Sequence, residues 1–179
     1  SRVWLIEAQR QSEDKKYQAG ASRSFRRQQI NISTNLPPYV SCNIDPPSIP
    51  VGKQTLFFFP DKLLIQEGTS FGAIGYSDLS VDVKESRFVE QDEVPQDAKV
   101  IGSTWKYVNK SGGPDKRFKD NLEIPLVLYE EIQFTSSTGL NELLQVSRRG
   151  IGDRIKDALL GLSELIDQKN VASANGSAR

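Results

Sequence analysis

An antiparallel β-barrel or sandwich, capped by one C-terminal amphipathic helix, is the fold class this sequence predicts. Three observations carry that expectation. Short runs rich in β-branched and aromatic residues recur from residue 54 to residue 146, separated by Gly, Pro, Asn and Asp turn signals. Leu79, Val81 and Val83 alternate with polar residues, the period of a strand with one buried face. After residue 150 the period becomes helical, with Ile151, Ile155, Ala158, Leu159, Leu162, Leu165 and Ile166 recurring between charges.

Taken in order, Val3-Trp4-Leu5-Ile6 is a first short strand. Ser12-Glu13-Asp14 reads as a helix start, a capping serine followed by acids that meet the positive dipole end. Gly20 stops that helix, which is expected over about residues 12–19. Residues 25–33 alternate toward Ile30 and Ile32 and read as a second strand, and residues 39–44 as a third. Pro46, Pro47 and Pro50 make the next stretch a rigid loop. Residues 54–59 and 62–66, joined at Pro60-Asp61, form a hairpin closed by Glu67-Gly68. Residues 71–76 follow as a strand, and Arg87-Phe88-Val89 extend or restart the strand of residues 79–83. Beyond an acidic connector containing Pro95, residues 100–108 are a strand. Residues 109–121 are a polar loop around Ser111-Gly112-Gly113-Pro114-Asp115. Residues 122–135 are the longest strand, with a register change expected near Glu130, and residues 140–146 are the last. Roughly seven to nine strands then lead into a helix over about residues 151–168. Residues 1–169 form a single domain, and residues 170–179 read as a flexible tail from their Ser, Ala, Asn and Gly content.

Composition narrows the chemistry. The chain has 179 residues, 23 basic and 23 acidic, so its formal net charge is zero. That excludes binding to nucleic acid by bulk charge, and no nucleic-acid partner is expected. Histidine is absent, which removes most catalytic triads, most zinc enzymes and the commonest general base. A lone Cys42 excludes intramolecular disulfides and cysteine-rich metal sites. It sits on an expected strand with no histidine to activate it, so a buried structural thiol is the expectation. The absence of methionine predicts an excised region of a longer protein, or a processed chain. No stretch is long and apolar enough for a membrane helix, and the start is too quickly polar for a signal peptide. A cytoplasmic setting is expected, with any membrane association supplied by other parts of the full-length protein. Zero net charge also hides blocks of alternating sign, with residues 1–36, 105–121 and 148–179 basic and those between them acidic.

The hairpin Thr55-Leu56-Phe57-Phe58-Phe59-Pro60-Asp61-Lys62-Leu63-Leu64-Ile65, followed by Ile74-Gly75-Tyr76-Ser77-Asp78-Leu79-Ser80-Val81-Asp82-Val83, resembles bacterial pleckstrin-homology-like domains. Leu36-Pro37-Pro38-Tyr39, Phe58-Phe59-Pro60-Asp61, Arg87-Phe88-Val89-Glu90 and the run from Thr104-Trp105-Lys106-Tyr107 through Gly112-Gly113-Pro114-Asp115-Lys116-Arg117-Phe118 look like an uncharacterised bacterial family. That similarity covers roughly residues 2–148. The resemblance implies a bent antiparallel barrel closed by a terminal helix, and binding of lipids, peptides or proteins rather than catalysis. Fold alone does not fix function.

The most distinctive candidate site is the loop with Lys106, Lys110, Lys116, Arg117 and Lys119. Gly112-Gly113 would let backbone N–H groups turn toward a phosphate, a lipid headgroup or an acidic peptide. Alternatively the loop is structural, with Asp115 and Asn109 capping turns, Phe118 plugging the core and the lysines solvated. Lys15, Lys16, Arg23, Arg26 and Arg27 form a second basic patch, suited to an anionic surface or simply to solvation. Glu90, Asp92, Glu93 and Asp97 fail calcium-loop spacing, so no metal is expected. Glu130 and Glu131 point to opposite faces of a strand and cannot form a facing carboxylate pair. Aromatic residues at strand spacing, Trp105, Tyr107 and Tyr129, read as core rather than as base-stacking platforms. A non-catalytic protein or peptide interaction module, a scaffold element without cofactor, is the expectation. Anionic-lipid binding through the basic loop is the alternative, and an edge strand can also pair two copies into a homodimer.

Overall fold

The computed structural model describes residues 1–8 and 25–176, with side chains placed for residues 1–7 and 26–173. The expected helix over residues 12–19, together with Lys15, Lys16 and Arg23, lies outside the described residues. Two antiparallel sheets and one C-terminal helix make up the fold. The strands are β1 (Val3–Ala8), β2 (Phe25–Ile30), β3 (Ser33–Thr34), β4 (Pro47–Val51), β5 (Gln54–Phe58), β6 (Leu63–Glu67), β7 (Ser70–Ile74), β8 (Leu79–Val89), β9 (Lys99–Trp105), β10 (Glu123–Ser136) and β11 (Asn141–Val146), followed by helix α1 (Ile151–Gly176). The first sheet runs β2-β1-β11-β10-β8, with β9 also on β10, and the second runs β3-β4-β5-β6-β7.

β10 is the spine of the first sheet. β8 pairs with it from Leu126↔Val89 to Ser136↔Leu79 without a break. On its other side β9 takes the first half and β11 the second. The register change expected near Glu130 is absent; burial instead passes from one face to the other. Ile132 and Phe134 face a core shared with Leu56 and Leu63 of the second sheet. Val127 and Tyr129 face the opposite way, onto Trp4 and Phe88. Glu131, on that opposite face, meets Lys84 of β8 at 3.3 Å.

Of the two expected alternatives, barrel or sandwich, the structure has two antiparallel sheets that are not closed into a barrel. The chain crosses between them at residues 31–32 and again through a 3-10 turn, Tyr76–Asp78, so β2 and β3, and likewise β7 and β8, belong to different sheets. Among the described residues no ladder joins the two sheets, and closure requires one. The shared apolar core does the joining, and the Tyr76 hydroxyl ties the second crossover to the β5–β6 hairpin by donating to the Phe59 carbonyl at 2.5 Å. Burial, then the charge of Asp61, raises that hydroxyl's pKa and keeps it a donor.

Three local expectations change as well. Residues 39–44 carry no strand; Tyr39 follows Pro37-Pro38 with φ 66 and is exposed. Cys42 is therefore exposed on a loop rather than buried on a strand. The proline-rich stretch is not a loop but contains β4: Pro47 opens the strand, and Pro50 lies beyond the end of two-residue β3. The helix passes its expected end near residue 168 and takes in residues 170–176 of the expected tail. Ala172, a strong helix former, favours that extension.

Ile151, Ile155, Leu159, Leu162 and Ile166 lay the helix stripe on the shared core. Buried Glu130 seats its start: one carboxylate oxygen accepts the Gly150 N–H at 3.0 Å, the other the Gly152 N–H at 2.6 Å. Negative charge there meets the positive end of the helix dipole and satisfies two donors that lack helical partners. Among the described residues, no helix is long and apolar enough to cross a membrane.

Candidate functional site

At one end of the sandwich the two sheets leave an open cleft of about 800 Å³. Four chain segments build it: the end of β1 (Leu5, Ile6, Glu7), the β4–β5 turn (Val51 to Gln54), the β6–β7 hairpin, and the tip of the β10–β11 hairpin (Thr138 to Glu142). Alternation fixes what each contributes. Leu5 and Leu144 are cross-strand partners facing the core, so Glu7 and Glu142, two residues farther along their strands, share that inward face at the mouth. Across the cleft, Gln54 of β5 donates to Glu67 of β6 at 2.7 Å. Among the described residues, three carboxylates, Glu7, Glu67 and Glu142, therefore line the cleft with one cation, Lys53. Burial, then the charge of Glu7, pushes the Glu142 carboxyl above its ordinary pKa.

One wall of the cleft is β7. It pairs with β6 from Glu67↔Ser70 to Leu63↔Ile74 and is the last strand of its sheet, so its other edge has no ladder partner among the described residues. Ser70, Phe71, Gly72 and Ala73 are exposed. A Cβ built at Gly72 would meet nothing within 4 Å. These carboxylates and this edge escaped sequence reasoning because they are far apart in the chain. The available signal was phase: Glu7 and Glu142 continue the inward-facing sets of Leu5 and Leu144.

The loop singled out from sequence is closed on itself. Tyr107 N–H donates to the Asn121 side-chain oxygen at 2.9 Å, and the Asn121 amide returns a bond to the Tyr107 carbonyl at 2.7 Å. Asn109 Oδ1 accepts the N–H groups of Ser111 and Gly113, each at 3.0 Å, and Gly112 N–H donates to the Asn109 carbonyl. Both glycine N–H groups expected to face an anion are thus engaged inside the loop. Arg117 is held by Asp115, with Nη2 at 2.6 Å from Oδ2, and its hydrogen bonds hold the Asp115 carboxyl below its usual range. Phe118 does not plug the core; it lies 42% exposed and stacks on Tyr107 with ring centroids 3.9 Å apart. Lys106 lies over the Tyr107 ring, and Lys106, Lys110, Lys116 and Lys119 are exposed. None of these four lysines forms an ion pair among the described residues.

The second basic patch is divided. Arg26 is exposed on β2, whereas Arg27 turns to the opposite face and is enclosed. Its guanidinium lies 4.3 Å from the Trp4 ring centre and 4.4 Å from that of Phe88, and grips Glu90 at 2.8 and 2.9 Å. Tyr129 donates its hydroxyl to the same carboxylate at 2.6 Å. Burial, followed by the hydrogen bond to Glu90, raises the Tyr129 pKa. Of the neighbouring acids, Asp92 reaches the same Arg27 at 3.8 Å, whereas Glu93 pairs with Arg2 and Asp97 accepts from the Ser147 hydroxyl at 2.7 Å. Among the described residues, no group of three or more potential ligands is placed to hold a metal ion. No family model matches this chain, and neither a curated protein nor a solved structure matches it.

Proposed function

We propose that this chain is a non-catalytic module that binds an extended segment of a protein partner, within a larger bacterial protein. The observation that carries the reading is the edge of β7, unpaired among the described residues, running along the cleft. A free edge offers a row of backbone donors and acceptors to an incoming strand, while pockets beside it read alternate side chains. Kinship with pleckstrin-homology-like domains belongs to this reading: two antiparallel sheets sharing a core with a terminal helix support it, and the open sheet edges depart from it. A cytoplasmic setting fits the lone exposed thiol of Cys42. Gly72→Leu tests the site, because the fold has room for the side chain while the cleft would be filled. The variant is expected to keep the wild-type melting temperature within about 3 °C. It should lose at least tenfold in affinity for a strand-forming peptide, read by fluorescence anisotropy. Unchanged affinity in a folded variant would refute the site.

A second reading has its own support. Phe118, Tyr107, Val108 and Leu122 are exposed among the four unpaired lysines of the basic loop, a mixture suited to an anionic membrane surface. Each lysine near such a surface contributes about 1 kcal/mol. On this reading, the chain co-sediments with anionic but not neutral vesicles at low salt. Lys110→Glu with Lys116→Glu, which leaves the Asp115–Arg117 pair intact, then abolishes the association. Equal binding to both vesicle types, or none to either, would exclude it.

A further inference from the structure

We infer that the segment received at the β7 edge is cationic: an extended stretch that places lysine or arginine at alternate positions toward Glu7, Glu67 and Glu142. The inference rests on the strand-addition reading above and adds the partner's chemistry to it. Charge complementarity is the ground. Among the described residues, the cleft lining brings three carboxylates, from both sheets, to one mouth with one cation, Lys53, while Arg26 stands opposite Glu7 on the neighbouring strand. Glu7 and Glu142 continue the same inward face, so the half-buried Glu142 carboxylate, short of screening water, lies under the charge of Glu7. A cation placed between them relieves that repulsion; an acidic side chain would add to it. Lys53 lies on the β4–β5 turn.

Geometry sets the rest of the partner. β7 has five residues, so its edge spans roughly 17 Å and pairs with five or six residues of partner. In a strand added to that edge, side chains alternate between the inner and outer faces of the sheet. Inward-facing positions near Ser70 and Gly72 lie on the sheet face that carries Glu67, with β7 between them, in the cleft that Glu142 also lines. Inward-facing positions near Ile74 meet Leu5 and Leu140, where apolar side chains fit. The recognised pattern is thus basic toward the mouth and apolar toward the core, on one face of a strand.

The test uses the full chain and three labelled eight-residue peptides of alternating pattern, with Lys, Ser or Glu at every second position and Val between. Anisotropy titrations at low and physiological salt read their affinities. The Lys peptide is expected to bind at least tenfold tighter than the Ser peptide at low salt, and the Glu peptide weakest. Glu7→Gln with Glu142→Gln should remove most of that preference, bringing the Lys-peptide affinity down toward that of the Ser peptide. If the Lys and Ser peptides bind equally and Gly72→Leu abolishes both, the charge inference falls and the strand-addition site stands. If the Lys peptide binds but Gly72→Leu leaves it bound, attraction is nonspecific and both fall. A second copy as the true occupant, seen as a doubled mass in light scattering that Gly72→Leu returns to monomer, would also overturn the inference.

Discussion

Glu90→Ala is expected to lower the stability of the fold by about 3–5 kcal/mol, the range for breaking a buried ion pair from one side. The Glu90 side chain is 1% exposed and that of Arg27 is 13% exposed, so little solvent screens the pair. The carboxylate accepts two bonds from Arg27, one from the Tyr129 hydroxyl and one from the Asp92 N–H at 3.2 Å. Removing it leaves the guanidinium charged between Trp4 and Phe88, and the Tyr129 hydroxyl without its acceptor. Four strands of the first sheet meet at this point: Trp4 is on β1, Arg27 on β2, Phe88 on β8 and Tyr129 on β10. Urea unfolding checks the expectation. A double variant, Arg27→Met with Glu90→Gln, serves as the control, since replacing both charges at once is far less damaging than stranding one. A Glu90→Ala variant within about 0.5 kcal/mol of wild type would contradict a closed, desolvated pair.

Gly152→Ala is the second large effect, expected to cost about 1–3 kcal/mol by overpacking. A Cβ there would lie 2.6 Å from Val83 Cγ1, 3.0 Å from the Glu130 carboxylate and 3.1 Å from Ile132 Cγ1. The contacts do not yield easily, because Val83 and Ile132 are cross-strand partners on β8 and β10, packed on the shared core, and Ile132 is fully buried. The clash also displaces the carboxylate that holds the helix start. Gly161→Ala, in the same helix with nothing within 4 Å of the added carbon, should instead stabilise by up to about 1 kcal/mol. Opposite signs for two Gly→Ala changes in one helix, read by urea midpoints, check the packing of α1. Equal effects would mean the helix start is not seated on the sheet.

Much of this fold is legible in local pattern. Leu79, Val81 and Val83 alternate because one face of β8 meets the core, and the α1 stripe repeats because one face of the helix does the same. Where two faces are buried in turn, the pattern misleads: Val127 and Tyr129 point away from Ile132 and Phe134, which mimics a register change in the sequence. Prolines mislead in a different way. Pro47 and Pro50 are acceptable to a strand whose neighbour is only two residues long, a fact about pairing that no single segment contains.

The candidate site was less legible than the fold for the same reason. The basic loop stands out because its charges are consecutive in sequence, yet Asn109 and Asp115 occupy its most distinctive donors from within. Arg27 reads as one more exposed cation until β2 turns it toward Glu90, 63 residues away. The cleft depends on the β1, β6 and β11 ends meeting, and its acids at positions 7, 67 and 142 form no local motif. What charge contributes to function here is decided by topology.

The most direct test of strand addition is amide hydrogen exchange across the whole chain, with and without the alternating Lys peptide. The account predicts that outward-facing amides within residues 70–74 exchange rapidly in the free protein and gain at least tenfold protection on binding. Protection confined to residues 106–121, or no change in β7 at saturating peptide, would contradict it.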